Sequence, residues 1–386
     1  MPNNKWKRIA LTQPEFKGGG GESILAWAIE ALKDVYDITV ITTDKIDLRF
    51  MNSFYRTNLQ SEDFNICRVF PLLSLFPRSL YILKRHLVML YCKRVSKQFD
   101  LFFSTQNEMD FGVKGIQYIH FPVHAGNLEI DSQQNSGVWN QRDSTIRRIY
   151  QWISASISGY KEAGVRHNLT LVNSGWTKEL VKSAYGIESK IIYPPVLSDI
   201  SIRPWKEREN GFVCIGWIRP EKQIEKVIDI LSLVRNKGFD IDLHIIGSVW
   251  DKAYSKKLFG SYEHTNNWLH FEGVVDRDTL ASIIAQHRFG IHGFTNEHFG
   301  IAVAEMVKAG CIVFVPDGGG QTEIVGLDDR VIYQNEEDAV EKIIKILQDQ
   351  DAQELLTSEM ILHGAHYSSE QFVNSVRSMV KEILRG

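Results

Sequence analysis

Short runs of apolar residues alternate with amphipathic stretches in the first half of the chain. Five of these runs are typical of buried strands, at 8–13, 37–44, 100–105, 115–121 and 169–174. Between the first two, "GGGGESILAWAIEALK" (18–33) predicts a glycine loop that opens a helix. This alternation of strand and helix signals predicts a parallel sheet with helices on both faces.

The two prolines of "IIYPPV" (191–196) end this pattern, because they force an extended segment that cannot continue a helix. The alternation then begins again, with strands predicted at 211–217, 242–247, 268–273, 289–294 and 311–316. A final helix at 368–386 carries an apolar stripe. The sequence therefore predicts an α/β protein with two Rossmann-like domains, at 1–196 and 197–367.

Composition adds limits on the class of protein. A chain of 386 residues exceeds one ordinary core, and a net charge of −3 gives no general affinity for nucleic acid. The four cysteines lack C-x-x-C spacing, which indicates neither a zinc site nor a disulfide framework and favours a cytoplasmic location. No apolar run suits a signal peptide or a membrane span. We therefore expect a soluble protein, or one attached to a membrane surface.

Four glycines at 18–21 lie between the first predicted strand and the first predicted helix, where parallel sheets bind ligands. Gly18 and Gly20 fit a dinucleotide-binding fingerprint and Asp44 supplies its acid, but Ser23 stands where a third glycine is needed. The sequence thus matches the fingerprint of a nicotinamide-dependent dehydrogenase only in part. The other interpretations are a turn without a ligand and a loop that lets backbone approach a phosphate or a sugar.

"NEHFGIAVAE" (296–305) places seven residues between Glu297 and Glu305. The apolar spacing predicts a helix from near His298 to Gly310, on which the two carboxylates lie about 12 Å apart along the axis. That separation suits neither a hydrolase couple nor one metal ion. It favours a cradle for an extended ligand, with the helix start holding a diphosphate between the carboxylates. Two unrelated surface glutamates are the alternative.

The longer stretch "NEHFGIAVAEMVKAGCIVFVPDGGGQTEIV" (296–325) resembles the signature of the retaining family-4 glycosyltransferases of the GT-B fold. In that family two glutamates at this spacing precede a buried strand and a Gly-Gly-x-x-Glu-Ile loop, matched here by Gly319, Gly320, Glu323 and Ile324. "GGGGE", "YIHFPV", "VNSGWTK", "YPPV" and "RPEK" resemble other family stretches in the same order. The resemblance implies two Rossmann-like domains facing a central cleft, with the helix at 368–386 crossing back to the first domain.

The resemblance implies catalytic roles for four residues. His120 faces the reacting side of the sugar, and Glu297 contacts the donor sugar. Arg219 and Lys222 neutralise the departing diphosphate, where negative charge grows during the reaction. Many family members have an arginine directly after the glycine that ends the strand, where this chain has Trp217.

Further residues match donor-binding positions of the family. Glu305 binds the ribose hydroxyls, and the backbone amides of Phe299 and Gly300 approach the diphosphate. The other implied donor contacts come from the two glycine loops, through Gly20, Gly21, Gly319 and Gly320.

The implied reaction moves a hexose from a nucleoside-diphosphate sugar to a hydroxyl of a glycan or a lipid-linked acceptor, without a metal ion or other cofactor. The "NEHFGI" run is similar to family members that mannosylate a dolichol-linked acceptor from GDP-mannose, so we expect mannose and GDP, with a UDP sugar as the alternative. Two other functions stay open. One is a sugar-nucleotide epimerase or phosphorylase of the same fold, and the other is a non-catalytic binder.

"RSLYILKRHLVMLYCKRVSK" (78–97) mixes basic and apolar residues. One interpretation is a helix that lies on an anionic membrane surface and delivers a lipid-linked acceptor. The alternative is an ordinary domain helix with its lysines in water.

Overall fold

The structure is a computed structural model that describes residues 6–16, 18–75, 80–123, 145–196, 200–262 and 267–385. The described residues form two compact units. The first unit runs to Pro195 and takes in the last helix from Ser369 onward, and the second comprises Val196–Ser368.

A parallel sheet forms the centre of the first unit. Its strands are β1 (Arg8–Thr12), β2 (Asp37–Thr42), β3 (Asn65–Arg68), β4 (Leu101–Ser104), β5 (Ile116–Ile119), β6 (Leu169–Val172) and β7 (Lys190–Ile191). Their order is β3-β2-β1-β4-β5-β6-β7, and every neighbouring pair is parallel. The strands β4 and β5 are buried along their whole length, as expected where helices cover both faces of a sheet.

In the described part of the chain, six helices connect these strands. They are α1 (Gly20–Leu32), α2 (Leu48–Tyr55), α3 (Tyr81–Arg94), α4 (Thr145–Ser158), α5 (Glu162–His167) and α6 (Gly175–Tyr185). The helix α1 starts within the run of four glycines, at Gly20, and buries most of its apolar residues in the core of the unit.

The second unit repeats this architecture with six strands. They are β8 (Glu209–Ile215), β9 (Asp242–Ile246), β10 (Leu269–Gly273), β11 (His287–Ile291), β12 (Ile312–Pro316) and β13 (Ile332–Tyr333), in the order β10-β9-β8-β11-β12-β13. The helices are α7 (Ile224–Asn236), α8 (Lys252–Ser261), α9 (Arg277–Gln286), α10 (Ile301–Lys308), α11 (Gln321–Ile324), α12 (Glu336–Gln348) and α13 (Gln350–Gly364). All strand pairs are again parallel.

The last helix, α14 (Ser369–Arg385), returns to the first unit, which confirms the predicted crossover. Its apolar stripe is buried in the core that contains α1, through Phe372, Val376, Met379 and Val380. Arg377 Nε donates a 2.7 Å hydrogen bond to the Ala31 carbonyl at the end of α1. The amphipathic pattern of α14 is thus satisfied by the first unit.

The strand order reverses direction once in each sheet, between β1 and β4 in the first unit and between β8 and β11 in the second. Beyond the carboxyl ends of the strands, such a reversal opens a crevice in which α/β proteins bind ligands. The glycine loop and Thr105 follow β1 and β4, and Gly216 and His292 follow β8 and β11. Each unit therefore has one topologically favoured binding crevice.

The stretch 78–97, for which a membrane contact is one interpretation of the sequence, is largely helical. Residues 78 and 79 lie outside the described residues, and the rest belong to α3 and the turn after it. Lys84 and Arg85 are buried, the first against Glu15 at 2.8 Å and the second against Glu108 at 3.0 Å. These two cations are therefore internal ion-pair partners, whereas Arg94 and Lys97 of the same stretch are exposed.

Candidate active site

Lys222 and Glu297 meet in the crevice of the second unit. Lys222 ends a short 3-10 turn in the segment that follows β8, and Glu297 lies in the segment that follows β11. Lys222 Nζ forms an ion pair with Glu297 Oε2, and His292 Nε2 lies 3.2 Å from the same oxygen. Neither contact uses Glu297 Oε1. Lys222 is thus brought from 75 residues away into one cluster with His292 and Glu297 at the strand ends.

The electrostatics of this cluster keep Glu297 ionised. Burial by itself would raise the pKa of Glu297, but the positive charge of Lys222 and the hydrogen bond from His292 outweigh it and hold that pKa well below its ordinary value. Burial lowers the pKa of His292, only partly opposed by Glu297. His292 is therefore a neutral donor to Glu297 at pH 7.

The glycine loop after β12 fixes the backbone of Glu297. Gly320 N donates a 2.8 Å hydrogen bond to the Glu297 carbonyl. Gly319 has φ +76°, and a Cβ there would lie 2.4 Å from the same carbonyl oxygen. Gln321 Nε2 donates to the Phe294 carbonyl at 2.7 Å. The predicted residues Gly319 and Gly320 therefore contact the Glu297 segment through backbone and hold its position.

The helix α10 begins at Ile301, three residues later than the predicted start near His298. The cause is Gly300, whose φ of +102° is left-handed and cannot continue a helix toward Phe299. Glu297 therefore lies in the loop before the helix, and the predicted spacing of about 12 Å along one axis does not apply. The first-turn amides of α10 have no intrahelical acceptors.

Phe299 serves packing at this helix start. Its side chain is buried, and its ring centroid lies 5.5 Å from that of Tyr367 in an edge-to-face arrangement. Any contact of Phe299 with a ligand is thus left to its backbone.

Glu305 forms a second charged pair in this unit. It is buried within α10, and its Oε1 accepts a 2.6 Å hydrogen bond from Arg277 at the start of α9. Arg277 and His292 were both missed from the sequence. Each residue lies just after a strand or after the turn that follows a strand, and this position is the signal that could have identified it. Their partners Glu305 and Glu297 lie 28 and 5 residues away in sequence.

Arg219 is held by aromatic residues. Its guanidinium lies 5.3 Å from the centroid of the Trp217 ring, which in turn stacks on Trp250 at 4.5 Å. Its Nε is buried without a hydrogen bond and lies 3.6 Å from Glu221. Among the described contacts, Arg219 is thus placed by Trp217 and Glu221, whereas Lys222 is placed by Glu297.

Gly20, Gly21 and His120 come together in the crevice of the first unit. The two glycines form the first turn of α1, and a Cβ on Gly21 would lie 3.6 Å from His120 Nε2. That nitrogen donates to the Thr105 carbonyl at 3.0 Å, which leaves Nδ1 as the acceptor. Burial lowers the pKa of His120 to about 4. His120 is therefore neutral at pH 7.

The Glu22 carboxylate accepts a backbone hydrogen bond within the glycine loop of the first unit. Both oxygens of Glu22 accept the amide of Gly18, at 2.9 and 2.8 Å, and one also accepts the Tyr55 hydroxyl at 3.1 Å. The carboxylate lies in the first turn of α1, where the helix dipole stabilises a negative charge. This loop thus carries a buried negative charge beside its backbone.

Ser23 and Asp44, which occupy the third-glycine and acidic positions of a dinucleotide-binding fingerprint, have structural roles. Ser23 is buried within α1. Asp44 accepts the Phe16 amide at 3.2 Å and lies 3.5 Å from Lys84. The Asp44 carboxylate, which would bind a ribose in a dehydrogenase, is engaged with the protein itself.

Asp-x-Asp triplets, which elsewhere bridge a donor through a metal ion, occur at 240–242, 276–278 and 349–351. Asp276 accepts the Thr279 amide at 2.8 Å and Asp349 the Ala352 amide at 2.9 Å, so both cap helices. Asp240 pairs with Arg235 at the surface. In the part of the chain that the structure describes, no three His, Cys, Asp or Glu residues are grouped for a metal ion.

Comparison with known proteins shows what this part of the chain is similar to. Residues 198–360 match the family model described as glycosyl transferases group 1. The chain is 29% identical over 230 residues to the GDP-Man:Man(3)GlcNAc(2)-PP-Dol alpha-1,2-mannosyltransferase of Candida glabrata, covering 54% of this chain and 44% of that protein. The Homo sapiens protein of the same name is 24% identical over 387 residues, covering 86% of this chain and 77% of that protein. The alignment thus spans less than half of the Candida glabrata relative.

A solved structure shows the same fold over almost the whole chain. The sucrose-phosphate synthase of Thermosynechococcus elongatus superposes with a TM-score of 0.72 at 14% identity, covering 98% of this chain and 99% of that one. At this identity the likeness concerns the fold alone. The chain carries a glycosyl transferases group 1 domain at residues 198–360 and has the GT-B fold with two parallel-sheet, Rossmann-like units.

Proposed function

We propose that the protein transfers a hexose, mannose from GDP-mannose in the first instance, to a hydroxyl of a glycan or lipid-linked acceptor with retention of configuration. The observation that carries this proposal is the Lys222–Glu297–His292 cluster at the β8–β11 crevice of a glycosyl transferases group 1 domain. The names of the Candida glabrata and Homo sapiens relatives support mannose and GDP.

In this proposal Lys222 stabilises the leaving group. The bond between the anomeric carbon and the β-phosphate oxygen breaks, and negative charge grows on the nucleoside diphosphate. An ammonium group beside that oxygen lowers the barrier, because it is already in place when the charge develops. The acceptor oxygen bonds to the anomeric carbon, and its proton passes to the leaving phosphate.

Glu297 and Glu305 hold the two ends of the donor. Oε2 of Glu297 is engaged with Lys222 and His292, so Oε1 is the oxygen that accepts a sugar hydroxyl. Glu305 accepts the ribose hydroxyls while Arg277 holds its other side. The first-turn amides of α10, which begins at Ile301 after the N-cap residue Gly300, bind the diphosphate between them.

In the first unit, Gly20, Gly21 and the neutral His120 bind uncharged hydroxyls of the sugar or of the acceptor. His120 Nδ1 is an acceptor for a hydroxyl proton, since Nε2 donates to Thr105. The buried Glu22 carboxylate beside the loop favours a neutral group over a second phosphate there.

We place the reaction in the cytoplasm, supported by four cysteines that are all free thiols. No described helix is long and apolar enough to cross a membrane.

The experiment is a donor panel of GDP-mannose, UDP-glucose and UDP-N-acetylglucosamine, with thermal shift, nucleotide release and product analysis measured together. Stabilisation and GDP release with a mannosylated acceptor support the proposal. Nucleotide release without a glycosylated product supports an epimerase or phosphorylase. Binding without turnover over a broad acceptor panel supports a non-catalytic binder, and stabilisation by no donor rejects the proposal.

A further inference from the structure

The helix α4 has its apolar residues on the outside. Ile149, Trp152, Ile153 and Ile157 are 52%, 70%, 45% and 43% exposed. Their spacing of three, four and eight residues places them on one face of the helix. We call these four residues the α4 surface. A helix of a soluble domain normally turns such a face toward the core.

The opposite face of α4 is small and polar, and it fixes the helix to α3. Ser154 and Ser158 are buried. His86 Nδ1 lies 2.8 Å from Ser158 Oγ, and Lys93 Nζ donates to the Ser158 carbonyl at 3.1 Å. These bonds hold the helix with its apolar side outward. The orientation is therefore set by specific contacts of the first unit.

The helix α4 and the three residues after it carry cations and no acid, and the next residue, Glu162, forms an ion pair with Arg166 at 2.6 Å. Residues 145–161 contain Arg147, Arg148 and Lys161 and no acidic residue, in a chain whose net charge is −3. Arg148 and Lys161 are exposed. A helix that combines Trp and Ile on one face with cations and no acids matches the pattern of helices that lie in the headgroup region of anionic bilayers.

We propose that the α4 surface docks on a membrane that contains anionic phospholipid. Trp152 and the three isoleucines enter the boundary between headgroups and acyl chains, while Arg148 and Lys161 contact lipid phosphates. A symmetric dimer through the same helix is disfavoured, because it would bring the cations of two copies together. The contact is on α4 and not on the buried cations of α3.

The test measures sedimentation of the full chain with vesicles of phosphatidylcholine, alone or mixed with phosphatidylserine. We expect binding to the mixed vesicles that weakens with salt, and about tenfold or greater loss of binding in Trp152→Ser/Ile153→Ser. Arg148→Glu should weaken binding to the vesicles that contain phosphatidylserine and leave binding to the pure phosphatidylcholine vesicles unchanged. The matched control is Val274→Ser/Leu362→Ser, which removes side chains that are 76% and 68% exposed in the second unit and should bind like the wild type.

Thermal unfolding of each variant verifies folding, which outward-facing side chains should not affect. The proposal is overturned if the wild type does not bind mixed vesicles, or if Trp152→Ser/Ile153→Ser binds as well as the wild type. A dimer that this double variant dissociates, with no vesicle binding, would assign the surface to a second copy and also overturn it. No donor or acceptor is present in this test, so its failure is distinguishable from a failure of the proposed function.

Discussion

Lys222 and Glu297 form an ion pair across 75 residues of sequence. The pair exists because β8 and β11 are neighbours in the sheet although two other strands, β9 and β10, lie between them in the chain. Burial would disfavour each charge alone, whereas together they stay charged at the place where a diphosphate is expected. The topology of the sheet thus produces the chemistry of the site.

The pair should be coupled in stability as well as in function. Lys222→Met leaves the Glu297 carboxylate partly buried without its cation and should lower the free energy of unfolding by about 2 kcal/mol. In Lys222→Met/Glu297→Gln most of this loss should be recovered, with a coupling energy of about 1–3 kcal/mol in a denaturant-unfolding cycle. The exposed Lys237→Met is the control. Strictly additive single-variant losses would show that the pair contributes no coupling.

Gly319 should tolerate no side chain. Gly319→Ala adds a Cβ that would lie 2.4 Å from the Glu297 carbonyl, at a φ that L-residues rarely adopt. The loop must shift, so we expect about 2 kcal/mol or more of lost stability together with at least tenfold weaker GDP-mannose binding by calorimetry. Gly260→Ala is the control, because its Cβ would have nothing within 4 Å. Wild-type donor affinity in Gly319→Ala would contradict the role of this loop.

Glu305 should act on the nucleotide and not on the sugar. Glu305→Gln keeps the side-chain shape but loses the charged hydrogen bond to Arg277 and the acceptor for ribose hydroxyls. We expect GDP and GDP-mannose to lose affinity equally, by about tenfold or more, in isothermal titration. In Glu297→Gln the loss should be larger for GDP-mannose than for GDP. If the ratio of the affinity loss for GDP to that for GDP-mannose were the same in both variants, the assignment of Glu305 to the nucleotide and Glu297 to the sugar would be rejected.

The fold class and the glycosyltransferase resemblance could be predicted from sequence; the fold is confirmed, and residues 198–360 match the glycosyl transferases group 1 model. Continuous apolar runs predicted the central strands, but β3, β7 and β13 lie at sheet edges and were missed, because edge strands need no such run. The motif from 296 to 325 pointed to Glu297 and Glu305.

The sequence could not give the partners of those residues. The ion pairs of Glu297 with Lys222 and of Glu305 with Arg277 depend on strand order, and the start of α10 depends on the left-handed backbone of Gly300. The same limit applies to the stretch 78–97. The burial of Lys84 depends on Glu15, which lies far away in the chain.

Stability should fall with acidification, in part through His120. Burial lowers its pKa to about 4 in the folded protein, below the ordinary value of 6.5. The unfolded chain therefore binds more protons between these values, so stability is complete above pH 6.5 and declines toward pH 4. Because the side chain is only partly buried, His120→Gln should reduce this decline by about 1–3 kcal/mol, measured by urea unfolding at each pH. An exposed histidine, changed in His167→Gln, is the control. A slope in His120→Gln equal to that of the wild type would contradict the burial of a neutral imidazole.

The most direct test of the account is turnover of GDP-mannose by Lys222→Ala at saturating donor and acceptor. If Lys222 stabilises charge on the leaving diphosphate, kcat should fall by about 10²–10³-fold, because the lost interaction belongs to the transition state. The control Lys237→Ala should turn over like the wild type. A kcat for Lys222→Ala within about twofold of the wild type would contradict the central claim.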